Sequence, residues 1–247
     1  MNYPLLVFVL SFLLMVVTAL FGRARARVHP LPGEERGDFD VVLGATLTLL
    51  GLLIGFSFSM AVSRYDERKK LEEEEANAIG TEYVRVDLLP ATEATTLHEL
   101  LRKYLDQRVL FYTSRGPDQI RKINSDTYQL QNELWSALHE VAAQPTPVTA
   151  LYLSGMNDVL NSQGYTQAAW LNRIPIAAWA LMLIIAMCCN LLIGYGARRT
   201  DRRLFVIVPM VVAVSFFLVA DIDSPRGGTI RVVPENLLSL AESLHRR

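Results

Sequence analysis

Cysteine is nearly absent: 247 residues hold two, Cys188 and Cys189, side by side within an apolar run. Adjacent cysteines in such a run make neither a disulfide framework nor the converging ligands of a metal site, so both read as packing residues. Histidine is scarce too. His29, His98, His139 and His245 are scattered, and each reads as a surface or helix-packing residue rather than a catalytic base or ligand. The chain has no Gly-rich phosphate loop, no G-x-S-x-G elbow and no His-Glu spacing of a zinc protease. No constellation supports an enzyme, a metal or a bound cofactor. An excess of charge is also lacking, since 24 Lys+Arg against 25 Asp+Glu leave a net charge of −1 and no basic field for nucleic acid.

What the chain does have is apolar length. Its hydrophobic content is 51%, and its mean hydropathy of +0.24 is too apolar for an average soluble domain. Four runs stand out: Tyr3 to Gly22, Val41 to Ser63, Ile174 to Gly196 and Leu204 to Ala220. The first three reach the roughly 20 residues that a spanning helix needs, and the fourth is near the lower limit. Four spans place both termini on one side of a lipid bilayer. The first run has no positive n-region and a longer apolar core than a signal peptide, so it is expected to remain in the mature protein.

Between the second and third runs the pattern is helical. Leu97, Leu101, Tyr104, Leu105 and Val109 recur at helix spacing, as do Ile120, Ile123, Leu130, Leu134, Leu138 and Val141. Breaks fall at Pro90, at "SRGPD" (Ser114 to Asp118) and at "QPTP" (Gln144 to Pro147). The expected architecture is therefore all-α: a four-span membrane protein with a helical extramembrane bundle between spans 2 and 3. Its boundaries are 1–63 for a first helix pair, 64–173 for the bundle, 174–220 for a second pair and 221–247 for a C-terminal tail. The bundle is mildly acidic, with 12 Lys+Arg against 16 Asp+Glu from Arg64 to Arg173.

The stretch "IGFSFSMAVSRYDERKKLEEEEANAIG" (Ile54 to Gly80) turns from apolar to densely charged without a proline, so one helix can run from lipid into water. At 100° per residue, Gly44, Thr48, Gly51, Leu52, Gly55, Ser59 and Ser63 share about a third of its circumference. Gly51 and Gly55, with Gly44 on the same face, fit a small-xxx-small packing motif against a neighbouring helix. Alternatively Thr48, Leu52 and Phe56 point at a symmetry axis and form a constriction. Glu72, Glu73, Glu74 and Glu75 fan out around the helix, which predicts a solvated face, with some pairing to Arg68, Lys69 or Lys70. If they face an axis, they are candidates for an acidic vestibule or entrance.

"LLIGFSFSMAVSRYDERKKL" (Leu52 to Leu71) resembles the second transmembrane segment of the bestrophin channels, where a helix with Gly and Phe precedes an Arg-aromatic pair; here these are Gly55, Phe56, Arg64 and Tyr65. "EEANAIGTEY" (Glu74 to Tyr83) and "ADIDSPRGG" (Ala220 to Gly228) are closer still to a bacterial bestrophin-like group of membrane proteins. The second block is similar to the family's acidic-Pro-Phe-Gly element through Asp221, Asp223, Pro225 and Gly227, with Arg226 in place of the Phe. The resemblance covers most of the chain. It implies a homopentameric channel for inorganic ions, a hydrophobic neck at Thr48, Leu52 and Phe56, and a cytoplasmic bundle and termini. It implies no equivalent of the calcium clasp of the animal proteins, because "RGGTIRVV" (Arg226 to Val233) lacks the oxygen ligands that calcium takes.

Charge near the span ends does not fix the orientation. The two short loops carry Arg23, Arg25, Arg27, Arg36, Arg198, Arg199, Arg202 and Arg203, against Arg64, Arg68, Lys69, Lys70, Arg173, Arg226 and Arg231 on the other face. Two functions fit the sequence: an ion channel, and a non-conducting membrane sensor or scaffold that recruits a partner through its bundle.

Overall fold

The computed structural model describes residues 3–142, 146–197 and 204–246. Gln144 and Pro145 of the "QPTP" break, the loop arginines Arg198, Arg199, Arg202 and Arg203, and the side chains of His139 and Val141 lie outside the described residues. The described part is all-helical: α1 (Pro4–Val28), α2 (Arg36–Arg85), a 3₁₀ turn at Val86–Leu88, α3 (Ala91–Thr113), α4 (Pro117–Ala142), α5 (Pro147–Leu171), α6 (Ile176–Gly196), α7 (Leu204–Asp223) and α8 (Glu235–His245). Four stretches are long and apolar enough to cross a membrane, those carried by α1, α2, α5–α6 and α7. The 50 residues of α2 form one unbroken helix of about 75 Å. No proline interrupts the chain between Pro32 and Pro90, so nothing in it prevents the turns from continuing.

The chain divides into two compact units, residues 1–64 with 173–231, and residues 65–172 with 232–247. The first unit packs α1, the first part of α2, α6 and α7. Helices α1 and α6 run parallel, Ala19 and Gly22 meeting Leu191, Gly194 and Tyr195, while α7 runs against α1, with Phe8 near Phe217 at one end and Arg23 over Phe205 at the other. Phe39 against Tyr195 and Ser57 against Met182 fix α2 antiparallel to α6. The α1–α6 crossing is so close that a Cβ at Gly22 would overlap the Leu191 carbonyl, and one at Gly194 the Ala19 carbonyl. Among apolar helices in lipid, such backbone approach supplies van der Waals contact that water exclusion does not.

Gly194→Val is therefore expected to force α1 and α6 apart. Its cost is about 1–3 kcal/mol, the range for overpacking a tight contact. Thermal unfolding in detergent checks it beside Gly164→Ala, where the added Cβ meets no atom within 4 Å and helix propensity alone predicts a neutral or favourable change.

The second unit wraps α3, α4, α5 and α8 around the second part of α2. Its core includes Ile79, Tyr83, Val86, Leu97, Leu101, Tyr104, Leu105, Phe111, Leu134, Leu138, Tyr152, Met156, Val159, Trp170 and Leu237. Four of the five positions on the first predicted stripe are buried and the fifth, Val109, packs against that core. The C-terminal segment is divided: residues up to 231 belong with the first unit, and α8 buries Leu237 and Leu244 in the second. Amphipathic spacing in so short a helix is easily overlooked.

Candidate functional site

Two faces of α2 have opposite fates. In the first unit Leu50, Ser57 and Ala61 are buried, and the Ser57 hydroxyl donates to the Met182 sulfur at 3.1 Å. On the other side Gly44, Thr48, Gly51, Leu52, Gly55, Phe56 and Ser59 are all exposed, Leu52 by 53% and Phe56 by 59%. A Cβ at Gly44, Gly51 or Gly55 would meet no atom within 4 Å. Among the described residues no helix of this chain approaches these glycines. Gly22 and Gly194 instead admit the backbone of another helix, and the signal for the latter was the four-residue repeat of small or polar residues Ala186, Asn190 and Gly194, all buried. Thr48 donates its hydroxyl to the Gly44 carbonyl at 2.9 Å, which satisfies its polarity within the helix and leaves its methyl outward.

The acidic run is corrected in part. Glu73 and Glu74 are exposed, and Glu74 pairs with Lys70 at 3.4 Å. Glu72 and Glu75, one turn apart, lie on the buried face with Arg68, Ile79 and Val86. Glu72 accepts from the Leu237 amide at 2.9 Å and from the Asn236 side chain at 2.7 Å, so an acid of α2 caps the N-terminus of α8, where no side chain of its own does. Glu75 pairs with Arg108, both fully buried, and accepts from Tyr112 at 3.1 Å and Thr166 at 3.3 Å. Burial would strip the Arg108 proton more easily, but the charge and hydrogen bond of Glu75, together with the Tyr104 and Tyr112 phenols, outweigh it and hold its pKa above the ordinary value. Burial, then the Glu75 carboxylate, pushes the Tyr112 phenol up, so it stays a donor. These two glutamates are internal ties of the bundle, and of the four acids Glu73 and Glu74 alone are exposed.

The C-terminal element is a paired anchor. Asp223, at the end of α7, accepts from the Ile174 amide at 3.1 and 3.2 Å and from Arg64 at 3.4 Å. One carboxylate thus joins α2, the segment leading into α6 and the end of α7. Asp221 accepts from the Thr229 amide at 2.8 Å, its hydroxyl at 2.9 Å and the Ile230 amide at 2.8 Å, which closes the following turn. Gly227 donates to the Ser224 hydroxyl at 3.3 Å, and Pro225 is buried. Gly228 makes the turn possible, since a Cβ there would overlap the Asp221 carbonyl. Both carboxylates are engaged by donors of the same unit.

The sequence profile of the Bestrophin-like domain matches residues 32–237. A bacterial bestrophin homologue from Klebsiella pneumoniae is similar in structure, with a TM-score of 0.65 at 14% identity over 98% of this chain and 96% of that one. A variant of that homologue gives 0.63 at 14% identity over 96% and 98%. Among curated proteins none matches this sequence. At such identities the structures establish the fold alone, whereas the profile spans most of the length. This all-helical membrane chain belongs to the Bestrophin-like family.

Proposed function

We propose that the chain assembles around a common axis as a homo-oligomeric ion channel, a pentamer by its family, with Thr48, Leu52 and Phe56 as the constriction. The observation that carries this reading is the outward face of α2. A spanning helix whose other side is packed exposes Gly44, Thr48, Gly51, Gly55 and Ser59 together with Leu52 and Phe56, and a face that sets small and hydroxylated residues around two bulky ones suits an axis shared with copies of itself. The ring of Leu52 and Phe56 side chains would gate by dewetting, and no fixed charge at that level selects the sign of the ion. Further along α2 in sequence, Glu73 and Glu74 would favour cations at the entrance. The bilayer is that of a bacterial inner membrane or a plasma membrane, with the bundle on the cytoplasmic side. We assign the chain no catalytic role.

Single-channel recording of the purified oligomer in planar bilayers under a salt gradient tests the reading. Unitary currents establish conduction, and the reversal potential gives the sign of the permeant ion. Labelling of Leu52→Cys and Phe56→Cys by a water-soluble thiol reagent, with Leu50→Cys protected, is expected in the same preparation. Silent membranes together with unreactive cysteines at 52 and 56 would instead support a scaffold that recruits its partner through the bundle.

A further inference from the structure

Three acids occupy the buried face of α2 in the second unit, and they differ in how they are satisfied. Glu72 and Glu75 have both oxygens bonded. Glu82, fully buried, meets only Arg85, at 3.4 Å through Oε2, while its Oε1 is sealed from solvent and has no hydrogen-bond partner among the described residues. Helix α5 lies directly on this pair: a Cβ at Gly155 would overlap both the Glu82 carboxylate and the Arg85 guanidinium. Tyr152, one turn earlier on α5, donates to the Arg85 carbonyl and fixes the same contact. Helix α5 thus closes over the carboxylate at its Oε2 edge, and Oε1 faces the interior.

We propose that Glu82 is a proton-operated latch between α2 and α5, dry and closed beneath Gly155 when neutral, and hydrated and opened at Gly155 when ionised. Closing takes one proton from solvent onto the carboxylate, and opening returns it. The charged and titratable groups facing it are Arg85 on α2 and Tyr152 and Asp158 on α5; beyond them Asp87 lies by His98 of α3, which also contacts the Tyr83 carbonyl. Burial raises the Glu82 pKa to about 7, with Arg85 opposing and Asp158 adding to the rise. Because this lies above the ordinary 4.5, the closed joint is most stable at low pH, and that stability declines as pH climbs through about 7. The helix that carries the latch also carries Phe56, so under the channel reading, on which this last link rests, conduction follows the same midpoint.

Hydrogen exchange of the full chain in lipid nanodiscs, compared at pH 6 and pH 8 after correction for intrinsic exchange, tests the latch without any current. Amides of α5 around Gly155 are expected to lose about tenfold in protection toward pH 8. Glu82→Gln, an uncharged isostere, is expected to keep the pH 6 protection throughout, and Asp158→Asn to move the midpoint to lower pH. Equal protection at both pH values in the unaltered protein, or a transition that survives Glu82→Gln, overturns the latch. Ion flux from vesicles, measured alongside, separates the readings: exchange that switches without flux counts against the channel alone, and flux without a switch in exchange counts against the latch alone.

Discussion

Phe56→Ala is expected to raise ion flux about tenfold or more, equivalent to lowering the conduction barrier by at least about 1.4 kcal/mol. The ring is 59% exposed on the outward face of α2, so its removal leaves the packing of the subunit intact. In the proposed oligomer every copy would lose its aromatic together, so the change in aperture would be multiplied by the number of subunits while the change in fold would not. Widening an apolar neck and shortening its dry length both lower the cost of wetting it. Leu52→Ala is expected to act in the same direction with a smaller effect, and Phe56→Trp in the opposite one. Unitary currents of each variant beside the unaltered protein decide the matter. Identical currents from an intact oligomer of Phe56→Ala would remove the constriction from this level of the helix.

Arg108→Met is expected to be among the most destabilising single changes in the second unit. It removes the guanidinium but leaves the Glu75 carboxylate fully buried, with Tyr112 and Thr166 as its remaining donors. Breaking one side of a buried ion pair costs about 3–5 kcal/mol, far more than the net value of the intact pair. For a unit of this size the melting temperature should fall by about 10 °C or more. Adding Glu75→Gln to Arg108→Met should restore much of that loss, because the orphaned charge is gone. Thermal melts of the two single variants and the double variant form the cycle that isolates the coupling. If the double variant is no more stable than Arg108→Met, the penalty comes from lost packing over Phe111, on whose ring the guanidinium sits at 4.5 Å, rather than from charge.

The features legible in the sequence are those written locally. A proline-free run of charge after lipid-compatible residues predicts the continuous α2, and heptad-like spacing at Leu97, Leu101, Tyr104 and Leu105 predicts the inner side of α3. That Thr48, Leu52 and Phe56 share a face follows from counting at 100° per residue, although composition alone could not decide whether a helix of the same chain would cover them. The long-range ties escaped. Glu75 reads as one of four equivalent acids until Arg108 arrives from 33 residues away, and Glu72 until the amide of Leu237 does so from 165. The partners of Asp223 escaped as well. Its acceptance of the Ile174 amide depends on how helices distant in sequence meet, which no local periodicity encodes.

The unbroken course of α2 also restricts how the chain can change in length. Leu50, Ser57 and Ala61, and later Arg68, Glu72, Glu75, Ile79 and Glu82, fall within one sector of the same helix. A single residue gained or lost near Tyr65 would turn everything beyond it by about 100°, exchanging buried acids for exposed ones, whereas a change of seven residues would return the phase to within about 20°. Insertions and deletions among relatives should therefore gather outside the helix, in the 29–35 loop and around Pro90, or occur inside it in whole heptads.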